Sequence, residues 1–454
     1  MDQEHKLSME TPVTTEDVHR AKDRLKIRRL RNQPGVRRAL MLLFMLVGPG
    51  ILVMLGENDG PSMLSYAATG SSFGIGFFLP FVLLTFAMAF VVQEMTVRLG
   101  AVTHRGHAEL IFERFGPFWG WFAMIDLAIG NFLTLVTEFI AVRAGLSFFG
   151  VSAPVAVGAT FLVAVGVMLS RRYWTWERIT LALAAFNFLF VPVAFLAHPD
   201  VGQIARAFAT WGPLPGGFTQ QMMVLIMADI GATVTPWMLF FQQSAVMDKG
   251  LTPKDIPQGR IDTLLGAIFA SVIACAAIIA TAPLFTHHID ASRFQAAEFA
   301  QAIEPYVGHI GATLFALGII EAGLVATITI SSSSAYAFGE VTGAAHSLNR
   351  PLKEARGFYA VMILGAALAA GLVLVPGAPL TLIVLVVNVI ATLAMPPALV
   401  FLILLVNDRQ IMGEYTNKRI VNILAVGVVL FLCAAGLVWG VMTVASGLHL
   451  LPNS

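Results

Sequence analysis

Charged residues are scarce in this chain, and their scarcity decides its broad class. Asp, Glu, Lys and Arg make up 12% of the 454 residues, which is about half of the share that soluble domains carry. Hydrophobic residues make up 57%, and the mean hydropathy is +0.78. The composition excludes an ordinary water-soluble protein, because a single buried core does not account for so much apolar sequence.

Sequence signatures of catalysis are also missing. The only two cysteines, Cys275 and Cys433, lie in apolar runs and form no metal-binding or disulfide pattern. The sequence contains no phosphate-binding glycine loop, no serine-nucleophile elbow and no H-E-x-x-H motif. We therefore predict that the protein is not an enzyme and has no cofactor. The net formal charge of +1 gives no attraction to nucleic acid, and we predict no obligate protein partner.

Long apolar runs are what the sequence has in abundance. A run of about 18 or more apolar residues is long enough to cross a bilayer as a helix. The sequence therefore predicts an all-α integral membrane protein with eleven spans. We place them at about 39–70, 74–94, 119–148, 152–170, 179–197, 219–246, 263–285, 310–339, 358–376, 379–406 and 420–448.

Basic residues occur in every second predicted loop. With the N-terminus inside, the inside loops contain Arg98, Arg105 and Arg114; Arg171, Arg172 and Arg178; Lys249, Lys254 and Arg260; Arg350, Lys353 and Arg356; and Arg409, Lys418 and Arg419. The outside loops contain only Arg206 and Arg293. Because Lys and Arg accumulate on the cytoplasmic side, we expect a plasma-membrane or inner-membrane protein with a cytoplasmic N-terminus and an outside C-terminus. The basic run Arg20–Arg38 is then a cytoplasmic flank, and the polar N-terminus is not a secretory signal peptide.

Two of the predicted spans are broken by polar residues, glycine and proline. The first break is "GENDGPS", Gly56 to Ser62, and the second is "DIGATVTPWM", Asp229 to Met238. Each break lies in the first span of a block of five, and an odd number of spans gives the two blocks opposite orientations. Paired breaks of this kind point to a transporter with inverted repeats and a binding site near the middle of the bilayer.

The same pattern divides the chain into five parts. We predict a cytoplasmic tail at 1–35, a first inverted repeat at 36–197, an outside linker at 198–218, a second inverted repeat at 219–406, and a last helix with a short outside C-terminus at 407–454.

The first break carries carboxylates at a depth where charge is costly. An unwound backbone inside a membrane is tolerated where it lines a polar cavity, and its freed carbonyls can bind a cation. Asp59 adds a negative charge, which argues for a functional role. The alternative is structural: Asp59 and Glu57 cap a kinked helix or pair with an arginine such as Arg143.

Three segments of the chain resemble the Nramp family of divalent-metal transporters. "GPGILVMLGENDGPSML" resembles the family's first-helix segment, with Asp59 on the Asp of its DPGN motif. "GATVTPWMLFFQQS" resembles the sixth-helix segment built around GATVMPHN, and "VTEFIAV" resembles a third-helix segment with Glu138 on an acidic residue. The resemblance covers most of residues 36–410. It implies a LeuT-like fold with two inverted five-helix repeats, and transport by alternating access.

The departures from the family pattern have a chemical direction. Ser62 stands where the family has Asn, Thr235 where it has Met, Trp237 where it has His and Met238 where it has Asn, while Glu57 is an added carboxylate. A thioether prefers soft metals, whereas hydroxyl, carbonyl and carboxylate oxygens suit Mg²⁺, Ca²⁺ or Mn²⁺. These changes resemble the Nramp-related magnesium transporter branch, so we expect Mg²⁺ as the substrate, with Mn²⁺ also accepted.

The resemblance also implies a set of ligands. The candidates for direct contact with the ion are the Asp59 carboxylate, the Ala232 carbonyl and the hydroxyl or carbonyl of Thr235. Ser62 is expected to act through water, and Glu57 either binds the ion or makes the cavity more negative. Asn388 either approaches the ion or is a buried polar residue bonded to the backbone.

Histidine is absent from the middle of every predicted span. All ten histidines fall in loops, tails or span ends, where they form no proton relay. We therefore expect uncoupled uptake, driven by the ion gradient and the membrane voltage. The alternatives are a proton-coupled carrier of Mn²⁺ or another transition metal, a carrier of an organic substrate, a channel, and a sensor without flux.

Overall fold

The computed structural model describes Leu25 and residues 48–170, 172–213, 217, 219–291, 294–377 and 380–447, without the side chains of 381, 382, 385, 388 and 443–447. All regular structure in this part of the chain is helical. Arg171, Arg293, most of the predicted N-terminal tail, the basic run Arg20–Arg38 and the last seven residues lie outside the described residues.

Seventeen α-helices make up the described chain. They are α1 (Pro49–Glu57), α2 (Gly60–Phe73), α3 (Phe78–Thr103), α4 (His107–Phe115), α5 (Pro117–Ser147), α6 (Ala153–Met168), α7 (Tyr173–Ala184), α8 (Phe190–Leu196), α9 (Val201–Thr210), α10 (Gln220–Gly231), α11 (Pro236–Lys249), α12 (Ile256–Thr286), α13 (Ala296–Thr342), α14 (Arg356–Val373), α15 (Leu380–Asn407), α16 (Arg409–Met412) and α17 (Arg419–Gly447). A 3₁₀ segment, Ala185–Leu189, joins α7 to α8.

Nine helical segments in the described ranges are long and apolar enough to cross a membrane. The prediction of an all-α membrane protein with many spans is therefore confirmed. The predicted fourth span is the shorter apolar helix α6, and the predicted first span is divided into α1 and α2. The exact number of eleven spans stays a prediction.

Both predicted breaks are present, and proline restarts the helix at each of them. α1 ends at Glu57 and α2 begins at Gly60, with Asp59 as the residue that caps α2. α10 ends at Gly231 and α11 begins at Pro236. Proline fits the first turn of a helix, where its missing N–H would have no helical partner. The prolines therefore set where the second half of each helix begins.

The predicted inside loops lie together at one end of the bundle. Arg98 donates a hydrogen bond to the carbonyl of Tyr415 at 2.8 Å, and Arg260 donates to Glu94 at 2.7 Å. These contacts join the end of α3, the start of α12 and the segment before α17. Asn349 connects the other two loops, since it accepts from the N–H of Tyr173 and donates to the carbonyl of Asp248. We call this the basic end, formed by the loops around 98–117, 172–177, 247–262, 342–356 and 407–419. The side of the membrane that it faces stays a prediction.

Buried charged side chains surround the start of α1 at the basic end. The ammonium of Lys249 lies 2.9 Å from a carboxylate oxygen of Glu177, and the two side chains are 1% and 2% exposed. The carboxylate of Asp262 accepts hydrogen bonds from the N–H groups of Gly48 and Gly50, at 3.0 and 2.7 Å. Asp262 thus binds the first turn of α1 to α12. The same turn lies against the ion pair of Glu177 on α7 and Lys249 on α11.

Small residues let the helices approach closely around the two breaks. A methyl group built on Gly70 of α2 would lie 2.3 Å from the carbonyl oxygen of Ile278 on α12. A methyl group built on Gly323 of α13 would lie 3.0 Å from the carbonyl oxygen of Glu138 on α5. Close backbone approach through small residues is a usual way for helices to pack in membranes. The halves of the broken helices are therefore held by backbone contact as well as by side chains.

We expect Gly70→Ala to destabilise the protein, because its new methyl group forces α2 and α12 apart. Overpacking of this kind costs about 1–3 kcal/mol. The measurement is thermal unfolding of the purified protein in detergent, followed by tryptophan fluorescence. Gly158→Ala is the matched control, since a methyl group there meets nothing within 4 Å. A Gly70→Ala protein that melts at or above the wild-type temperature would contradict the packing argument.

Candidate cation site at the two helix breaks

Asp59 lies in the first break and caps the helix that follows it. Its Oδ1 accepts a hydrogen bond from the backbone N–H of Ser62 at 2.8 Å, and the residue is 4% exposed. Asp59 therefore does cap the helix after the break, as the structural alternative predicts. The cap also keeps its carboxylate beside the break. Arg143 donates to the carbonyl of Val373 at 2.8 Å, and no ion pair among the described residues joins it to Asp59 or Glu57.

Glu57 and Thr235 join the two breaks directly. The Thr235 hydroxyl donates a hydrogen bond to Oε1 of Glu57 at 2.6 Å, across 178 positions of sequence. Glu57 is 1% exposed, and its Oε2 has no donor in the described protein. The structure thus brings together the two breaks that the sequence pairs, and it places Thr235 facing the first break.

Ala232 lies at the end of α10 with its carbonyl turned toward α2. The hydroxyl of Tyr66 donates a hydrogen bond to this carbonyl at 3.2 Å. One turn earlier on α10, the carboxylate of Asp229 accepts from Ser65 at 2.6 Å and from Thr69 at 2.9 Å. Three hydroxyl groups of α2 therefore bind α10 just before the second break.

Ser62 and Asn388 are the remaining predicted site residues, and the side chain of only the first is described. Ser62 is buried in the first turn of α2, where its N–H binds Asp59. Asn388 lies in α15, but its side chain is outside the described part of the structure. Thr392, one turn further along α15, donates to the carbonyl of Met227 on α10 at 2.8 Å. This contact places α15 against α10, close to the second break.

Two residues outside the predicted ligand set reach the first break. An oxygen of the buried Glu138 carboxyl on α5 accepts from the N–H of Gly60 at 3.1 Å, and this carboxyl also interacts with that of Asp59. The side-chain amide of Asn58 donates to the carbonyl of Ala270 at 2.9 Å. A carboxyl group in the middle of the apolar run "VTEFIAV" was the available signal for Glu138, whereas nothing in the sequence singled out Asn58 from its neighbours.

Three buried oxygens around the first break have no hydrogen-bond donor within the described part of the chain. They are Oε2 of Glu57, Oδ1 of Asn58 and Oε1 of Glu138. Buried acceptors are normally satisfied by protein or ordered water, so three together indicate a place for a cation or for water. Within the described residues, no group of three or more His, Cys, Asp or Glu side chains is arranged to hold a metal ion. A cation here would therefore depend on hydroxyl groups, backbone carbonyls and water as well as on carboxylates.

A thioether does lie at the second break, although Thr235 occupies the family's methionine position. The sulfur of Met238 accepts a hydrogen bond from the backbone N–H of Thr235 at 3.4 Å. Trp237 is 1% exposed, and its ring packs against Gly56 of α1. The sequence expectation that the break has lost its thioether is thus correct for position 235, but the sulfur of Met238 caps the start of α11 instead.

The chain matches a known family and a known fold. Residues 50–441 match the family model Nramp, natural resistance-associated macrophage protein-like. A divalent metal cation transporter MntH of Aeromonas hydrophila subsp. hydrophila is 25% identical, over 86% of this chain and 94% of that protein. The MntH of Brucella suis biovar 1 is 29% identical, over 69% of this chain and 68% of that protein.

Solved structures with a similar fold extend this result. A manganese transporter of Eremococcus coleocola superposes with a TM-score of 0.71 at 20% identity, covering 93% of this chain and 91% of that one. A Na⁺-coupled sialic acid symporter superposes with a TM-score of 0.55 at 12% identity, covering 93% of this chain and 96% of that one. At these identities the likeness shows the fold alone, and it confirms the predicted LeuT-like architecture.

We expect Thr235→Val to destabilise the metal-free protein. The substitution keeps the shape but leaves Oε1 of Glu57 buried without a donor, which costs about 1–3 kcal/mol. Thermal unfolding in metal-free buffer measures the effect, and Glu57→Gln with the double variant completes a thermodynamic cycle. Thr233→Val is the control at the same break, because its hydroxyl binds carbonyls of its own helix. Equal destabilisation by both valine variants would show that the Glu57–Thr235 contact has no special weight.

Proposed function

The chain belongs to the Nramp family, whose members are membrane transporters and not enzymes, and from that premise we propose that it carries divalent cations. We propose Mg²⁺ as the principal substrate, with Mn²⁺ also accepted, moved by alternating access between two inverted repeats at 36–197 and 219–406. The relatives described above are named as divalent metal cation transporters, and the structural neighbour from Eremococcus coleocola is named as a manganese transporter.

The observation that carries the choice of Mg²⁺ is the set of buried acceptors without donors around the first break, in Glu57, Asn58 and Glu138. Mg²⁺ gives up its water reluctantly and commonly keeps several water ligands in proteins. Each water bound to the ion donates two hydrogen bonds, so a hydrated ion supplies the donors that these oxygens lack. Thr235 in place of a thioether adds a hard oxygen ligand, which also favours Mg²⁺ over soft metals.

We assign the ligands in accordance with this geometry. Asp59, Ala232 and Thr235 lie closest to the ion and contact it directly or through water, and Ser62 and Glu57 complete its surroundings. Asn388 is a further proposed ligand, because it lies on α15 one turn before Thr392, which contacts α10. All five residues whose side chains are described are buried, so an ion at this place is shielded from bulk water.

We propose that transport is not coupled to protons. The histidines of the described chain lie outside the breaks, and burial lowers the pKa of His107, in the loop helix α4, to about 4, so that it stays neutral near pH 7. A divalent ion gains about 4.6 kcal/mol from a membrane voltage of −100 mV, so uptake needs no proton. With the basic end in the cytoplasm of a cell whose interior is negative, this voltage drives the ion inward.

A second candidate function is a proton-coupled carrier of Mn²⁺ or another transition metal. The position of Glu138 favours it, because its carboxyl accepts from the N–H of Gly60, the residue directly after Asp59, and two neighbouring carboxyl groups can share a proton. The relatives named MntH are consistent with this alternative as well. The two candidates differ in whether protons move with the metal.

The test uses purified protein in liposomes that contain one dye for Mg²⁺ and another for pH, with a potassium gradient setting the voltage. We expect Mg²⁺ entry that saturates, rises with an inside-negative voltage and leaves the internal pH unchanged. Asp59→Asn should abolish this entry, since it removes the only charge in the proposed closest ligands. Gln258→Glu, at the basic end, is a control that interchanges an amide and a carboxylate away from the two breaks.

Either of two results would refute the proposal. Mn²⁺ entry with acidification and without Mg²⁺ entry would identify a proton-coupled transition-metal carrier. If correctly folded wild-type protein shows no saturable flux of any divalent cation, the protein is not a carrier, and a sensor without flux would fit instead.

We expect Thr235→Met to shift selectivity toward soft metals, because it restores a thioether where the family has one. Competition of Cd²⁺ with Mn²⁺ uptake should become about tenfold stronger or more, and Mg²⁺ uptake should weaken. Thr235→Leu is the control, since it removes the hydroxyl and adds bulk without sulfur. If both variants respond to Cd²⁺ in the same way, position 235 does not contact the ion.

A further inference from the structure

Tyr66 is a buried side chain that contacts one of the proposed ligands. It lies seven residues after Asp59, on the face of α2 that also carries Ser62. It is completely buried, and its hydroxyl donates to the carbonyl of Ala232 at 3.2 Å. The hydroxyl also lies close enough to interact electrostatically with Asp59 and Glu57. Tyr66 therefore contacts the second break and lies near the carboxylates of the first.

The contact between Tyr66 and Ala232 is fixed by its neighbours. Asp229, one turn before Ala232 on α10, is bound by Ser65 and Thr69, which flank Tyr66 on α2. These two hydrogen bonds set the register of α10 against α2. Because both helices are held in this way, the hydroxyl of Tyr66 is presented to the carbonyl of Ala232 without depending on a flexible loop.

A carbonyl oxygen that accepts from a hydroxyl is a weaker ligand for a cation. The oxygen has two lone pairs, and the Tyr66 hydroxyl occupies one of them with its partly positive hydrogen, which leaves less negative charge for a cation at the other. The phenolic oxygen still accepts, and a water bound to the ion can donate to it. We propose that Tyr66 competes with the cation for the Ala232 carbonyl and thereby favours an ion that retains its water.

This inference rests on the proposed function, and it names a determinant of selectivity within that function. An ion that gives up water readily gains from direct contact with Ala232, whereas Mg²⁺ gives up water reluctantly. Removing the Tyr66 hydroxyl should therefore help Mn²⁺ more than Mg²⁺. Tyr66 acts through Ala232 and is a positioning residue.

The experiment compares Tyr66→Phe with Tyr359→Phe in liposomes. Tyr359 is a matched control, because its hydroxyl also donates to a backbone carbonyl, that of Arg350 at 2.9 Å, at the basic end. We expect Tyr66→Phe to lower the KM for Mn²⁺ relative to that for Mg²⁺ by about threefold or more, with the maximal rates less affected. Tyr359→Phe should leave this ratio unchanged. An unchanged ratio in Tyr66→Phe, or the same shift in both variants, overturns the inference.

A spectroscopic measurement tests the same point in both proteins, and its wild-type part does not require the variant to fold. Protein grown with alanine labelled with ¹³C at its carbonyl is loaded with Mn²⁺, and pulsed electron paramagnetic resonance reports whether a carbonyl carbon is bonded through oxygen to the metal. We expect weak coupling in the wild type and strong coupling in Tyr66→Phe, with one water fewer on the Mn²⁺ in ¹⁷O-water. Strong ¹³C coupling in the wild type overturns the inference.

The outcome for the proposed function is separate. Wild-type protein that carries Mn²⁺ but not Mg²⁺ refutes the choice of substrate. The Tyr66 inference is then judged on Mn²⁺ alone: a lower KM for Mn²⁺ in Tyr66→Phe supports it, and an unchanged KM overturns it.

Discussion

Two stretches of non-helical backbone inside an apolar helix bundle must find hydrogen-bond partners, and the rest of the site follows from that requirement. Lipid supplies none, so the partners come from side chains. The N–H of Gly60 binds the carboxyl of Glu138, the carbonyl of Ala232 binds Tyr66, and the N–H of Thr235 binds a thioether. The groups that stabilise the breaks are thus the same groups that surround the place proposed for the ion.

The two breaks are also joined to each other, so that neither can change alone. Glu57 in the first accepts from Thr235 in the second, and the hydroxyls of α2 bind Asp229 on α10. Carboxylates that would be costly in isolation are placed where the opposite half of the molecule supplies donors. Some oxygens at this joint have no donor in the described protein, and the proposed binding of a hydrated ion rests on them.

The sequence predicts the positions of the breaks well, because proline and glycine act locally and a carboxylate in an apolar run stands out. It also predicts which loops lie together, since basic residues mark alternate loops. It does not predict Tyr66, Asp229 or Asn58 as parts of the site. Their roles come from contacts across some 160 to 210 positions of sequence, and in helices that are apolar on every side the hydrophobic pattern does not show which face meets which neighbour. The sequence shows a methionine at position 238, but it does not predict that its sulfur accepts from the N–H of Thr235, because that contact depends on how the start of α11 folds.

The buried pair of Lys249 and Glu177 gives the basic end a particular kind of closure. A methyl group built on Gly48, at the start of α1, would lie 2.3 Å from Glu177 and 2.6 Å from Lys249, so the start of α1 covers the pair. Burying an ion pair away from water carries a desolvation cost, and this cost falls when water reaches both charges. Because the pair joins α7 to α11, water can reach it when α1 moves away without separating the two charges. Hydration of this pair would therefore offset part of the contacts that α1 loses on leaving the basic end.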